Sequence, residues 1–321
     1  MSISLPNDAR LYAQVRLAPA QGTRFQPTGF PDLGAAEYQA PGPDDTQRAM
    51  LLVESSQSVA NRLEEVCWDA STNDLVPCLK GLPYVRVTNA KGEYLTSSIQ
   101  ESHRLNSPYL LENKNGVFFE KLKSELGVLE SGRVDLNLLG QVLFKYDPNS
   151  LIHGIFLAKK ELAGGRLRLP RVLSGFIEAA NVNAAVSGGV KRDDVDPKGT
   201  ALGSGASKGF GHVPFARIEY TGQINAYFAI DIAQLRAFRL GEAAEKLLFA
   251  LCLYKIRRFL ESGLRLRTAC DLATDGELEI KRPSGIIIPD VAELESTLPS
   301  LIAAAGFRDN PVEVVQFTGP K

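Results

Sequence analysis

The segment FARIEYTGQINAYFAIDI, residues 215–232, decides the fold class of this chain. Apolar and polar side chains alternate along it with the two-residue period of a β-strand. The apolar positions are Ile218, Tyr220, Ile224, Phe228 and Ile230, and the polar positions are Glu219, Thr221, Gln223, Asn225 and Asp231. The pattern predicts one long strand, or two strands that meet at Gly222, with one face on the core and one in water.

Patterned elements lie on both sides of this segment. Residues 242–262 predict a long helix that is apolar on almost every side and is therefore buried. Near the N-terminus, a first strand is predicted by the alternation of Leu11, Ala13, Val15 and Leu17.

A helix should begin after Ser55 or Ser56, either of which can cap its N-terminus. One face packs through Val59, Leu63, Val66 and Cys67, and the opposite face, with Gln57, Asn61 and Glu64, is expected to be free to bind. The remaining predicted elements are a hairpin made by residues 155–162 and 166–169, a short helix at 171–180, strands at 265–269 and 277–288, and a helix capped by Asp290 and Glu293.

The predicted elements follow the order strand, helix, two strands that each have one solvent-exposed face, helix, strand. This order predicts an α+β fold with an RNA-recognition-motif or ferredoxin-like core and an antiparallel sheet. We therefore expect a single such domain over residues 1–321, with large loop and hairpin insertions at about 70–165 and 186–214. The second insertion holds seven glycines and no periodicity. A connection of that length is usually a functional loop or a disordered one.

Charge is balanced overall but uneven along the chain. The 36 Lys and Arg residues face 37 Asp and Glu residues, which leaves a formal net charge of −1. Basic residues cluster at 159–192 and 255–267. Local basic stripes on a neutral protein fit a groove that follows a nucleic acid backbone, although solvated surface is the alternative explanation.

Several classes of protein are disfavoured by the sequence. The four cysteines form no CxxC pair and no histidine lies at zinc-finger spacing, so reduced thiols and no metal site are expected. The longest apolar run, residues 247–254, is too short to span a bilayer. We therefore expect a cytoplasmic protein with no membrane partner and no cofactor.

Five blocks carry a family resemblance: residues 24–32, 53–64, 102–108, 188–191 and 209–211. In their order, from about residue 11 to about 290, the chain resembles the CRISPR-associated RAMP-superfamily backbone subunit of type I-G (formerly I-U) effector complexes. The resemblance implies a guide-RNA-binding subunit of a Cascade-like complex that polymerises head to tail along CRISPR RNA and supports pairing with target DNA. The other partners it implies are a large subunit, a guide-processing subunit and a separate helicase-nuclease.

Under this interpretation the predicted RNA contacts are Arg24, Gln26, Asn61, Arg62, His103, Arg104, Asn106, Lys191, Arg192, Lys208, Phe210, Arg257 and Arg258. Recognition should be independent of sequence, because in such complexes base pairing reads the sequence. The glycine-rich insertion resembles the thumb that displaces a guide base in this family, with Phe210 or Val190 as the wedge.

Two other functions remain open, and no catalytic residue is assigned. An endoribonuclease could use His103 as a general base. A small-molecule enzyme could use the glycine-rich loop, although residues 203–209 fit neither GxxxxGK[ST] nor GxGxxG. Asp193, Asp194 and Asp196 could hold a metal, but the neighbouring lysines and arginines can neutralise them.

Overall fold

The computed structural model describes residues 3–30, 32–42, 46–127, 134–200 and 208–320. The strands in these ranges are β1 Arg10–Pro19, β2 Gly29–Phe30, β3 Gly34–Ala35, β4 Glu37–Pro41, β5 Gln47–Glu54, β6 Trp68–Asp69, β7 Asp74–Leu75, β8 Val85–Thr88, β9 Tyr94–Ser97, β10 Ile155–Leu157, β11 Leu167–Leu169, β12 Leu173–Lys191, β13 Val213–Asp231, β14 Arg265–Arg267, β15 Cys270–Thr274, β16 Glu279–Arg282 and β17 Glu313–Gln316. The α-helices are α1 Ser56–Glu65, α2 Pro108–Leu111, α3 Val117–Leu126, α4 Leu136–Tyr146, α5 Pro148–His153, α6 Ile232–Ala237, α7 Glu242–Glu261 and α8 Val291–Ala304.

A large sheet organises the fold, in the strand order β14-β15-β1-β13-β12-β5-β4, and β16 also pairs with β1. All of its pairings are antiparallel. The α+β class predicted from the sequence is therefore confirmed. The central strand is β13, which is one continuous strand that passes through Gly222, and the predicted β1 is also present.

Helices α1 and α7 pack on one face of this sheet. Ser55 caps α1 through its side chain, and Val59 and Leu63 are buried. Helix α7 is buried on almost every side, and its Phe259 meets Phe228 of β13 edge to face. Burial of so much apolar surface is the main term that stabilises the central layer.

Two sequence predictions about β12 and its surroundings are wrong. Residues 171–180 are not a helix but the start of β12, because alternate side chains from Leu173 to Ala179 enter the core and the backbone pairs with β13. Residues 186–214 are not one aperiodic loop either. The strands continue to Lys191 and from Val213, and the ring of Phe215 covers Gly189, its directly opposite partner, which offsets the weak strand preference of glycine.

Strands β12 and β13 therefore extend beyond the sheet as a two-stranded ribbon, residues 183–191 and 213–221, which we call the arm. It begins at an irregularity between Ala180 and Asn183, next to Gly222. At about 3.4 Å per residue, the arm is roughly 30 Å long. The glycine-rich segment 203–209 lies outside the described residues, except for Lys208 and Gly209.

The region about 70–165 is more than surface insertion. Turns form at residues 69–74 and 89–93, and the side chain of Asp69 accepts hydrogen bonds from the former turn. However, α3, α4 and α5 bury apolar faces that join the main core. Strand β17 from the C-terminus pairs in parallel with β8, so this region and the chain end form one layer.

Other local predictions are also settled by the structure. The β10–β11 hairpin and the capping box of Asp290 and Glu293 on α8 are confirmed. The expectation that Glu64 lies on a free face of α1 is wrong, since its side chain is buried. Among the described helices, none combines the length and the apolar character that crossing a membrane requires.

Candidate nucleic-acid interface

A cleft of about 760 Å³ lies where the β10–β11 hairpin meets the 3₁₀ turn Arg104–Asn106 and the chain that enters β12. It brings together three residues predicted from the sequence: His103, Arg104 and Asn106. Asn106 accepts a hydrogen bond from the backbone N–H of Ala158 (2.9 Å), which joins the turn to the hairpin. We call this site the basic cleft.

Arg104 is held in the wall of the basic cleft by a buried ion pair. Its Nε and Nη2 atoms donate to the two carboxylate oxygens of Glu64 at 2.7 and 2.6 Å, and Nη1 donates to the carbonyl oxygen of Gly154. Glu64 also accepts from Asn149 (2.7 Å), which in turn accepts from the buried Lys255 (2.6 Å). Arg104 adopts φ +52°, a left-handed conformation that is costly for a residue with a side chain.

The basic cleft carries two more cationic groups. Arg168 and Arg171 line it beside His103 and Arg104, and none of the described residues in the lining is Asp or Glu. Burial, reinforced by the positive charge of Arg104, lowers the pKa of Arg171 from its usual value. The guanidinium of Arg168 lies 5.3 Å from the ring centroid of Phe156. An anion that entered would therefore meet a site with excess positive charge.

His153 lies at the inner end of this cleft and is 1% exposed. Neither ring nitrogen has a hydrogen-bond partner. Burial, together with the positive charges of Lys255 and Arg104, holds the pKa of His153 well below its usual value. The ring is therefore neutral at pH 7, with one donor and one acceptor nitrogen.

The arm is the second candidate surface, and its two faces differ. Directly opposite residues share a face, and on one face these pairs are apolar: Val186 with Ile218 and Val190 with Pro214. Val186 is 76% exposed, which is unusual for so apolar a side chain on a ribbon. The other face carries Lys191 among its polar groups.

The loop at the tip of the arm is organised around Asp193. Its carboxylate accepts hydrogen bonds from the backbone N–H groups of Val195, Asp196 and Gly211, and these bonds lower its pKa. His212 accepts from the backbone N–H of Asp193 (3.0 Å). The Asp193 carboxylate therefore stabilises the loop at the tip of the arm. This structural role is the alternative to the metal-ligand role that the sequence allowed for it.

The cations and the aromatic residue predicted at the tip are exposed. Arg192 pairs with Asp194 at 3.4 Å, while Lys208 lies on the surface and Phe210 is 44% exposed. Residues 201–207, between them in sequence, lie outside the described ranges.

Residues 11–184 match the family described as CRISPR-associated protein GSU0053. The match spans more than half of the chain. This chain belongs to that CRISPR-associated family. The matched region holds every residue that lines the basic cleft and ends inside the arm.

Solved structures resemble this CRISPR-associated protein only distantly. A chain of a "CRISPR RNA-guided surveillance complex" is 13% identical over 94% of this chain and 76% of its own, with a TM-score of 0.38. A chain of the same kind of complex in a "pre-nicking" state is 14% identical over 83% of this chain and 76% of its own, with a TM-score of 0.35. Csc2 of Thermofilum pendens is 11% identical over 93% of this chain and 77% of its own, with a TM-score of 0.31. None of the curated proteins matches the sequence.

The other predicted contacts of this CRISPR-associated protein lie away from the basic cleft. Arg24 pairs with Glu219 at the base of the arm (3.8 Å), and Gln26 is joined through its backbone to Arg267 and Ala269. These residues fix the arm to the sheet. Their side chains can still reach a ligand, because that of Arg24 is 54% exposed.

Asn61 and Arg62 of α1 lie in different environments. Asn61 is exposed and lines a separate pocket near Glu64. Arg62 pairs with the fully buried carboxylate of Glu54 (3.1 Å), which also pairs with Arg267. Removal of Arg62 would therefore disturb the fold as well as any contact with a ligand.

Arg257 and Arg258 are also distant from the basic cleft. Arg257 donates to the carbonyl oxygens of Ile288 and Pro289, which secures the chain before α8. Arg258 lines another pocket, with Trp68 and Tyr254. Both lie near the end of α7, inside the helix that the sequence predicts over residues 242–262.

Three titratable residues of the basic cleft, Arg168, Arg171 and His153, were not singled out as contacts from the sequence. Arg168 belongs to the basic run at 159–192, but its place on β11 opposite Phe156 depends on hairpin register. His153 ends a six-residue helix before Gly154, and no sequence pattern reveals its burial. Within the described ranges, no three His, Cys, Asp or Glu side chains are grouped so that they could hold a metal ion.

Proposed function

We propose that this chain is a CRISPR RNA-binding backbone subunit of a type I-G interference complex, without catalytic activity of its own. It polymerises head to tail along the guide and holds it for pairing with target DNA. A large subunit and a guide-processing subunit complete the complex, and a separate helicase-nuclease cuts. Membership of a CRISPR-associated family supports the biological setting.

The observation that carries the proposal is the basic cleft. Three arginines and two histidines line it, and although Arg104 is already paired with Glu64, the described lining holds no carboxylate that would compete with phosphate for Arg168 and Arg171. Arginine pairs with phosphate oxygens through two parallel N–H donors. Contacts of this kind bind nucleic acid without reading its sequence, as a guide-binding subunit requires.

The topology supports an RNA-recognition-motif-like core. The elements β1, α1, β12, β13, α7 and β15 follow the order strand, helix, strand, strand, helix, strand. In the sheet the four strands of this set lie in the order β15-β1-β13-β12. By their order in the chain, these are the fourth, first, third and second strands. Strands added at both edges and the layer formed by residues 70–165 and β17 would be elaborations of that core.

The arm supports assembly into a multimer. A two-stranded ribbon cannot bury its own apolar face, so Val186, Val190 and Ile218 are free to contact another molecule. When copies of the chain bind next to one another along an RNA, each copy can cover the apolar face of its neighbour's arm. The tip, with Lys191, Lys208 and Phe210, would then act on the guide.

An endoribonuclease is the second candidate, because two histidines, His103 and His153, line one cleft. Paired histidines can act as general base and general acid in RNA cleavage. Burial of both ring nitrogens of His153 favours the non-catalytic proposal. Cleavage of repeat RNA in EDTA that is lost in His103→Ala would establish the nuclease instead.

Binding of single-stranded RNA as a function of salt concentration tests the proposal. A guide-length RNA should bind with a slope of log affinity against log salt of about −0.7 for each phosphate neutralised. An RNA of unrelated sequence and equal length should bind with a similar slope. Affinity that does not change with salt would contradict contacts to the backbone.

A further inference from the structure

The inner end of the basic cleft is closed by backbone. Gly154 adopts φ +78°, and a Cβ atom there would lie 2.8 Å from the carbonyl oxygen of Leu169, so the two chain segments are in direct contact. The backbone N–H of Val172 donates to the carbonyl oxygen of Ile152 at 2.9 Å, which joins the same two segments. A polymer that enters the cleft must therefore end or turn back at this point.

Two arginines of the basic cleft have no partner that neutralises their charge. Within the described ranges, the guanidinium of Arg171 forms no hydrogen bond or ion pair, and no carboxylate lies within 4 Å of Arg168. Arg171 is partly buried, and the positive charge of Arg104 disfavours its own charge. Glu64 lies near enough to favour that charge, but both of its carboxylate oxygens already accept from Arg104. Two positive charges in the cleft are thus left for a ligand.

The phosphate at the end of a nucleic acid chain matches this charge. At pH 7 a phosphate monoester carries about −1.5 to −2, because its second pKa is about 6, whereas the phosphodiester inside a chain carries one negative charge. Three free oxygens of the monoester can accept from two arginines and one further donor at once. A phosphodiester has two free oxygens, and its chain continues in both directions, for which the closed end leaves no path.

His153 supplies the further donor. Its ring lines the inner end of the cleft, is 1% exposed, and has no hydrogen-bond partner at either nitrogen. A buried N–H group without an acceptor is unfavourable, so a ligand oxygen that accepts from it stabilises the complex. Because the ring is neutral at pH 7, it contributes a hydrogen bond and leaves the charge balance with the two arginines.

We propose that the inner end of the basic cleft binds the terminal phosphate of an RNA chain, with Arg168 and Arg171 on its oxygens and His153 as a further donor. The inference rests on the proposed function, because it takes RNA as the ligand, and it adds a preference for the end of the chain. In a row of copies along one RNA, only the copy at that end meets such a group. The contact therefore fixes where the row begins, while the other copies hold internal phosphates.

RNAs that differ only at their ends test the inference. An unstructured RNA of 12 nucleotides, with fluorescein on an internal base, is prepared with a 5′-phosphate, with a 3′-phosphate, or with hydroxyl groups at both ends. The parent should bind one phosphorylated RNA roughly 10- to 150-fold tighter than the hydroxyl-ended RNA, the range for one charge-assisted hydrogen bond. A methyl ester on the preferred terminal phosphate reduces its charge to −1 and should remove most of this advantage.

Variants assign the preference to the cleft through the ratio of the two affinities. Arg171→Ala should bring the ratio close to one. Arg168→Ala, at an exposed position, should lower it as well and keeps the test valid if Arg171→Ala unfolds. His153→Leu removes the N–H donor and should lower the ratio in part. Lys160→Ala removes an exposed cation from the same hairpin, outside the cleft lining, and should keep the ratio of the parent. Thermal unfolding checks the fold of each variant.

The failures can be told apart. If the parent binds all three RNAs equally well, the inference is wrong and the proposed function stands. If the parent binds no RNA, both are wrong. A preference that survives in both arginine variants, or in the methyl ester, would place the terminal phosphate elsewhere or remove the need for its second charge, and either result overturns the inference. Competition by free AMP at the affinity of the phosphorylated RNA would make a free nucleotide the ligand and would also overturn it.

Discussion

Val186 and Ile218 lie directly opposite each other on the arm, and both side chains are about half exposed or more. Ser187, the next residue, points to the opposite face. The arm thus offers two adjacent positions at which the same substitution should have different effects.

We expect Val186→Asp to abolish self-association of the chain on RNA, because it places a charge where an apolar contact with a neighbouring copy is proposed. Ser187→Asp adds the same charge one residue away and should leave assembly intact. Sedimentation of the complexes on a long RNA measures both. Equal assembly of the two variants would remove the apolar face from the interface.

The arm allows a test of the tip loop without harm to the strands. Lys191 is paired with Val213, so residues 192–212 can be replaced by Asn-Gly, which closes a two-residue hairpin. The variant should remain folded, since the core residues of β12 and β13 are unchanged. Chemical probing of bound RNA should show periodic hyper-reactive nucleotides with the parent and none with the variant; the same periodicity in both would place base displacement elsewhere.

The basic cleft predicts a loss of affinity that depends on salt. Arg168→Ala combined with Arg171→Ala should weaken RNA binding and reduce the magnitude of the salt slope by up to about 1.4, if each arginine neutralises one phosphate. Lys91→Ala combined with Lys114→Ala removes two exposed cations that are not among the proposed contacts, and this control should leave the slope unchanged. An unchanged slope in the cleft variant would show that phosphates do not enter the cleft.

The ion pair of Arg104 and Glu64 predicts a change in stability. Arg104→Ala should lower the free energy of unfolding by roughly 3–5 kcal/mol, because it leaves the buried Glu64 carboxylate without its cation. Arg192→Ala, at an exposed ion pair, should change it by less than about 1 kcal/mol. Urea unfolding measures both, and a small effect at Arg104 would mean that solvent reaches the pair.

Asp147 predicts a dependence of stability on pH. Burial raises the pKa of this carboxyl from 3.8 to about 6, while Ser150 donates a hydrogen bond to it. Because the folded state binds the proton more tightly than the unfolded state, this group lowers stability as pH rises from about 4 to about 6. Asp147→Asn removes the effect.

The free energy of unfolding of Asp147→Asn, relative to the parent, should therefore rise by up to roughly 3 kcal/mol between pH 4 and pH 7. Asp135→Asn makes the same change at the exposed cap of α4 and serves as the control. Parallel stability curves for the parent and Asp147→Asn would contradict the assignment.

The sequence predicted the parts of the fold in which one physical pattern dominates. Alternation specified β1 and β13, and continuous apolar character specified α7. Prediction from the sequence failed where pairing with a distant strand overrides the local preference of the residues. Gly188 and Gly189 weaken the strand pattern of β12, and only their register with β13 shows that Phe215 covers Gly189.

The candidate sites show the same limit. His103, Arg104 and Asn106 are close in sequence and could be grouped in advance. Arg168 and Arg171 join them only through the β10–β11 hairpin. The burial of Glu64 depends on Arg104, 40 residues away, which no local pattern encodes.

Sequencing of the RNA bound to the chain tests the central claim most directly. The protein is expressed together with a CRISPR array and its neighbouring subunits, crosslinked to RNA, and purified under denaturing conditions, and the attached RNA is sequenced. The account predicts guide RNA that carries repeat-derived ends, with crosslinks spread along its length at regular spacing. Absence of attached RNA, or a random sample of cellular RNA in place of guides, would contradict it.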